Sequence, residues 1–169
     1  MSRELMQQNI QKAQLEIDAK KDIVKNGKMR QHYHFMAQTG WINDPNGLIY
    51  YKGKYHFFFQ YNPYYGFWDC MHWGHAVSED MVHWEYLPLA LAPSENYDNH
   101  PRGGCFSGSA IELEDGRQLL MYTSVNQEKL EDGTVRDIQT QAVAVGDGKD
   151  YEKYDKNPVL TAKDLPKGA

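Results

Sequence analysis

The chain has 169 residues, 41% of them hydrophobic, 24% charged and 13% aromatic, with a formal net charge of −5. That size and mixture predict a globular body with a sizeable core and exclude a disordered or fibrous protein. The negative balance argues against a nucleic-acid scaffold, which needs a basic surface, whereas 12 Tyr, 6 Phe and 4 Trp supply rings that stack on the apolar faces of sugars.

Residues 3 to 26 read as a helix. Met6, Ile10, Ala13, Ile17 and Val24 form one narrow apolar stripe, with Ser2 placed to cap the start and Gly27 to end it. So narrow a stripe predicts docking on the body rather than a coiled coil, which needs three or more clean heptads. The segment is charged throughout, with no apolar run of signal-peptide or membrane-spanning length, so a cytoplasmic protein with no membrane partner is expected. Cys70 and Cys105 fit two free thiols in a reducing compartment, one bridge between them being the alternative.

After Gly27 the pattern changes to strands. Asp44-Pro45-Asn46-Gly47 has the residue order of a type I turn, with Pro presetting φ at the second position and Gly at the fourth. Read alone, it predicts a turn opening a hairpin; the competing reading is that Asp44 holds a carboxylate over a substrate. "GLIYY" and "KYHFFFQY", separated by Lys52-Gly53, predict a hairpin, and "HWGHAVSED" and "VHWEYLPLAL" extend it to a four-stranded meander. "APSENYDNHPRGG" is a loop by composition. "CFSGSAIEL", "GRQLLMYTS", "DIQTQAVAVG" and "YEKYDKNPVL" then repeat the four-strand rhythm.

The two sets superimpose with a shift of 63 residues: Leu48 falls on Ile111, Gly53 on Gly116, Lys54 on Arg117 and Phe59 on Tyr122. A repeated four-stranded unit is the signature of a β-propeller, whose blades surround a central channel. The same shift places Asp44 on Ser107, each just ahead of the first strand of a blade. Such strands line the axis, so both residues are expected at a ligand mouth. Two blades cannot close a propeller, and the ending "NPVLTAKDLPKGA" stops in a loop, so a truncated chain is expected.

A glycosidase needs two carboxylates flanking the scissile bond and polar groups for the sugar hydroxyls. Around Asp44 the candidates are Asn43, Gln60, Trp41 and Trp68. The hairpin carries Gln60 back to the Asp44 end, and amides both donate and accept. His32 to His34 and His72 to His75 look like metal ligands, but strand histidines more often lie beside aromatics, and no metal or cofactor is expected. "GDGKD" lacks the glycines of a phosphate loop. Arg136-Asp137 reads as a surface ion pair.

The blocks "WINDPNG", "FFQYNP", Trp68, "MHWGHAVSEDMVHW" and "FSGSA", in this order and spacing, resemble glycoside hydrolase family 32, which includes invertases, sucrose-6-phosphate hydrolases and fructan hydrolases. The likeness runs from about residue 31 to 160. It implies an all-β five-bladed propeller, with about two blades present, preceded by an N-terminal α-helix. It divides the chain into residues 1–28, the helix, and 29–169, a partial catalytic propeller with blade one at about 41–92 and blade two at about 103–162. The remaining blades and a C-terminal β-sandwich are expected to be absent.

The resemblance further implies retaining hydrolysis of terminal β-D-fructofuranosides, such as sucrose, sucrose 6-phosphate or fructan. Asp44 matches the nucleophile. Asn43, Gln60, Trp68, Phe106 and Ser107 match positions that contact the fructosyl unit, and Trp41 the pocket floor. Asp69 and Cys70 depart from the Gly and small or polar residue usual there. The Arg-Asp-Pro motif and the Glu-Cys motif carrying the acid/base glutamate are missing; Arg136-Asp137 precedes Ile138, not Pro, and both motifs are expected beyond Ala169. The alternative is a non-catalytic sugar-binding or assembly fragment.

Overall fold

The computed structural model of the chain describes residues 2–31 and 33–166, without the side chain of Ser2. The expected cap by Ser2 and the candidate His32 therefore lie outside the described residues. Helix α1 spans Ser2–Lys25. Met6, Ile10, Ala13 and Ile17 of its stripe are buried, and Val24 is half-buried. The helix docks on the body, as its stripe predicts, and its carboxyl half faces Phe59, Tyr61, Leu87 and Leu89. Asn9 donates to the Pro93 carbonyl at 2.7 Å, satisfying a half-buried polar group at that seam. No described helix is long and apolar enough to cross a membrane.

The strands are β1 (Trp41–Tyr51), β2 (Lys54–Asn62), β3 (His72–Ser78), β4 (Glu85–Leu91), β5 (Gly104–Glu112), β6 (Gln118–Lys129), β7 (Val135–Gly146) and β8 (Tyr151–Lys153). They form two four-stranded antiparallel sheets, in the orders β1-β2-β3-β4 and β5-β6-β7-β8. Strand β2 is buried on both faces, which is why "FFF" runs without alternation. Phe58 faces the second sheet with Trp73, Leu120, Tyr122 and Tyr151, while Phe57 and Phe59 meet Phe35 on the other side. Lys52 and Gly53 have φ of 48° and 83°, the doubly positive pair of a type I′ hairpin whose twist matches its strands. β8 is shorter than expected: after Lys153 the chain turns at 154–157, and Val159 and Leu160 return to Gln141 as an isolated bridge.

Asp44-Pro45-Asn46-Gly47 forms no turn. All four residues lie inside β1, and the type I turn expected from their order is corrected to a pair of bulges. Ile42 pairs with Tyr61 but Pro45 with Phe59, and Asn46 pairs with Phe58 but Ile49 with His56, so each step inserts one extra residue. β1 is an edge strand, where proline's missing N–H is tolerated. Gly47, at φ 50°, supplies the left-handed residue in the second bulge, and a Cβ there would stand 3.1 Å from both Ala110 and Phe58.

The second sheet repeats the first bulge at the shift of 63. Cys105 pairs with Ser124 and Gly108 with Tyr122, the counterparts of Ile42–Tyr61 and Pro45–Phe59. It lacks the second bulge, so from there the first strands align one residue differently. Ile49, rather than the expected Leu48, occupies the position of Ile111. The two first strands, β1 and β5, lie side by side.

Candidate active site

The bulges decide which way two short polar side chains point. An extra residue bends a strand and re-aims its side chain, and here it does so at matching positions on neighbouring strands. The Ser107 hydroxyl donates to Asp44 Oδ2 at 2.7 Å. Gly108, next in line, donates its backbone N–H to Asn46 Oδ1 at 3.2 Å, a second tie between the sheets. A side chain at Gly108 would put its Cβ 1.9 Å from the Met121 carbonyl oxygen, so only glycine permits this approach. Asp44 stays exposed, with Oδ1 free of any described partner.

The remaining expected residues surround this pair unequally. Trp68 meets Phe106 edge-on, with ring centres 5.6 Å apart at 84°, making an apolar wall beside Ser107. Trp73, buried behind it, donates its indole N–H to the Phe106 carbonyl at 2.9 Å and fixes that wall's backbone. Trp41 donates to Asn43 Oδ1 at 2.9 Å, so the two hold each other at the start of β1. Gln60 is only 2% exposed, and its amide nitrogen braces the Cys105 carbonyl at 2.9 Å, at the start of the β5 bulge. Asn46 was not singled out in the sequence; it is buried, and its Nδ2 has no partner among the described residues.

Other candidates sit elsewhere. His75 stacks on Phe58, with ring centres 4.3 Å apart, and its Nε2 lies 3.0 Å from His56 Nδ1. Burial holds His75 down at about 3 and His72 at about 4. Among the described residues no three His, Cys, Asp or Glu side chains converge as for a metal. Arg136 pairs with Glu128 at 2.8 Å and Asp137 accepts from Gln127, so the expected Arg136–Asp137 pair is corrected to two cross-strand contacts. Cys70 and Cys105 are both free.

One buried polar cluster escaped sequence reading. Asp98, in the linker between the sheets, accepts from Lys153 Nζ at 2.6 Å, from the Tyr122 hydroxyl at 2.8 Å, and from the backbone N–H groups of Ser94 and Glu95 at 2.9 Å each. Lys153 also donates to Ala92 O and Ser94 Oγ, which fills all three of its donors. Nothing local marks a pair separated by 55 residues.

Comparison with known proteins bears on this geometry. The profile described as "Glycosyl hydrolases family 32 N-terminal domain" matches residues 34–168. A sucrose-6-phosphate hydrolase of Zymomonas mobilis is 46% identical over 124 residues, which are 72% of this chain and 23% of that protein. A raffinose invertase of Escherichia coli is 46% identical over 123 residues, 72% of this chain and 25% of its own. Among solved structures, a β-fructofuranosidase of Bombyx mori superimposes with a TM-score of 0.79 at 38% identity, over 93% of this chain and 31% of the other. The chain thus spans about a quarter of the length of the curated relatives it matches.

Proposed function

The chain belongs to glycoside hydrolase family 32, and on that premise we propose that it carries the nucleophile half of a retaining β-fructofuranosidase site, with Asp44 as nucleophile. The observation supporting this most strongly is the Ser107–Asp44 hydrogen bond between two matching bulges. One carboxylate oxygen is held by a donor, and the other is exposed and free to attack. Asp44 bonds to the anomeric carbon of a fructosyl unit as the glycosidic C–O bond breaks. An acid outside this stretch protonates the departing oxygen, about 5–5.5 Å from Asp44, and then acts as base for the water that releases fructose.

Trp68 and Phe106 exclude water beside the ring, while Asn43, Gln60 and Ser107 orient hydroxyls and Trp41 closes the floor. Substrates of this class are sucrose, sucrose 6-phosphate and fructans, in line with relatives named for sucrose 6-phosphate and raffinose. The 169-residue chain by itself is expected to release no glucose from sucrose, for want of the acid. In a protein of the relatives' full length carrying this stretch, Asp44→Ala should lower kcat by about 10⁴-fold or more. Sucrose turnover that survives Asp44→Ala there would refute the assignment.

A further inference from the structure

Beside Trp68 stands a guanidinium that no carboxylate or carbonyl engages among the described residues. Each of the other four arginines is engaged: Arg3 with Glu152, Arg30 with the Met36 and Ala37 carbonyls, Arg117 with Asp115 and Arg136 with Glu128. Arg102 has no carboxylate or carbonyl partner for its side chain among the described residues. Its guanidinium carbon stands over the Trp68 ring, 6.0 Å from the centre. The backbone beneath it is fixed to the loop that carries Trp68. Cys70 N donates to Pro101 O and Met71 N to Gly103 O, both at 3.1 Å, and Cys105 N returns to Met71 O at 2.9 Å. The Arg102 N–H donates to His100 Nδ1 at 3.2 Å, which tightens the same turn.

Position and chemistry together limit what this arginine can do. Trp68 meets the Phe106 ring at 84° and has the Arg102 guanidinium carbon over its own ring, and Phe106 precedes the serine bonded to Asp44. Arg102 is thus linked to Asp44 through Trp68, Phe106 and Ser107, and a leaving sugar that extends past Trp68 would meet it. A net charge of −5 repels a dianionic substrate, so taking one up calls for a local cation. A planar, weakly hydrated guanidinium that stands over an indole without a carboxylate or carbonyl partner can offer its N–H fork to two phosphate oxygens, a geometry that a lysine point charge does not reproduce.

We propose that Arg102 selects fructosides whose leaving sugar carries a phosphate. This rests on the reading of Asp44 as the nucleophile. The test is kcat/KM for sucrose 6-phosphate against sucrose, in a protein of the relatives' full length carrying this stretch and in its Arg102→Gln and Arg102→Lys variants. The unaltered protein is expected to favour the phosphorylated sugar by about twofold to fivefold, the size of an exposed ionic contact. That ratio should fall to about one in Arg102→Gln, keep part of its value in Arg102→Lys, and shrink with added salt. Inorganic phosphate in the sucrose assay separates a phosphate carried by the sugar from one bound alone. It should leave sucrose turnover unmoved, and inhibition as strong as that by sucrose 6-phosphate would overturn the proposal. Sucrose hydrolysis with no preference, or a preference unmoved by Arg102→Gln, overturns the role of Arg102 and leaves Asp44 standing. Hydrolysis of neither sugar removes both.

Discussion

At the scale of single residues, the site depends on one hydroxyl and one carboxylate meeting across two strands. Ser107 does more than touch Asp44: by donating to Oδ2 it holds the carboxylate in the rotamer that leaves Oδ1 without a partner among the described residues. Removing that donor should cost reactivity without costing the fold, because the pair is largely exposed. In a protein carrying the complete site, Ser107→Ala is expected to lower kcat/KM by about tenfold to a hundredfold, the worth of one hydrogen bond to a charged group. The thermal midpoint should hardly move. A large fall in stability with unchanged kinetics would assign Ser107 to structure instead.

At the scale of elements, the linker and the last strand are joined by the buried Asp98–Lys153 pair, which is 0% and 6% exposed. Such a pair gains little over a well-fitted apolar replacement, but breaking it strands a charge. Lys153→Met leaves the Asp98 carboxylate with Tyr122, two backbone donors and the weak thiol donor of Cys105 but no cation, and about 3–5 kcal/mol of stability should be lost in urea unfolding. Asp98→Asn added to Lys153→Met should recover much of it, since no charge then remains. A single variant as stable as the parent would show that water reaches the pair. The matching bulges are the other device at this scale. They turn two equivalent strands into a facing Asp and Ser, and a flat strand would send these side chains along the regular pleat.

At the scale of the whole molecule, the buried imidazoles set the acid limit. His56, His72 and His75 are all held below the ordinary 6.5 by burial, with Lys54 and Lys52 adding to the effect at His56. Because the folded values are depressed, the unfolded chain binds more protons below about pH 6.5. Stability is therefore complete above that pH and falls as pH drops towards about 4 for His72 and 3 for His75. Each imidazole contributes a slope of up to about 1.4 kcal/mol per pH unit in that window. Thermal midpoints measured from pH 7.5 to 4.5 should fall, and His75→Phe, which keeps a ring against Phe58, should flatten the fall. A midpoint flat across that range would mean that these rings are protonated in the fold.

Much of this architecture was legible from the chain. The shift of 63 residues placed Ser107 opposite Asp44, and strand propensity with the Lys52-Gly53 turn marked the hairpins. The role of Asp-Pro-Asn-Gly was not legible, because the same four residues satisfy a turn and a bulged edge strand, and only pairing with Phe58 and Phe59 distinguishes them. Asp98–Lys153 and the freedom of Arg102 are tertiary facts with no local pattern. The candidate residues Asn43, Asp44, Phe106 and Ser107 lie in "WINDPNG" and "FSGSA", the two stretches that cross the bulges.

The central claim, that Asp44 forms the covalent intermediate, can be measured directly. A protein of the relatives' full length carrying this stretch should be quenched in acid during turnover of a fructosyl donor, digested, and its peptides weighed. The account predicts one fructosyl unit esterified to the peptide containing Asp44 and none on that peptide after Asp44→Ala. The sugar appearing on a different carboxylate while Asp44 stays unlabelled would contradict it.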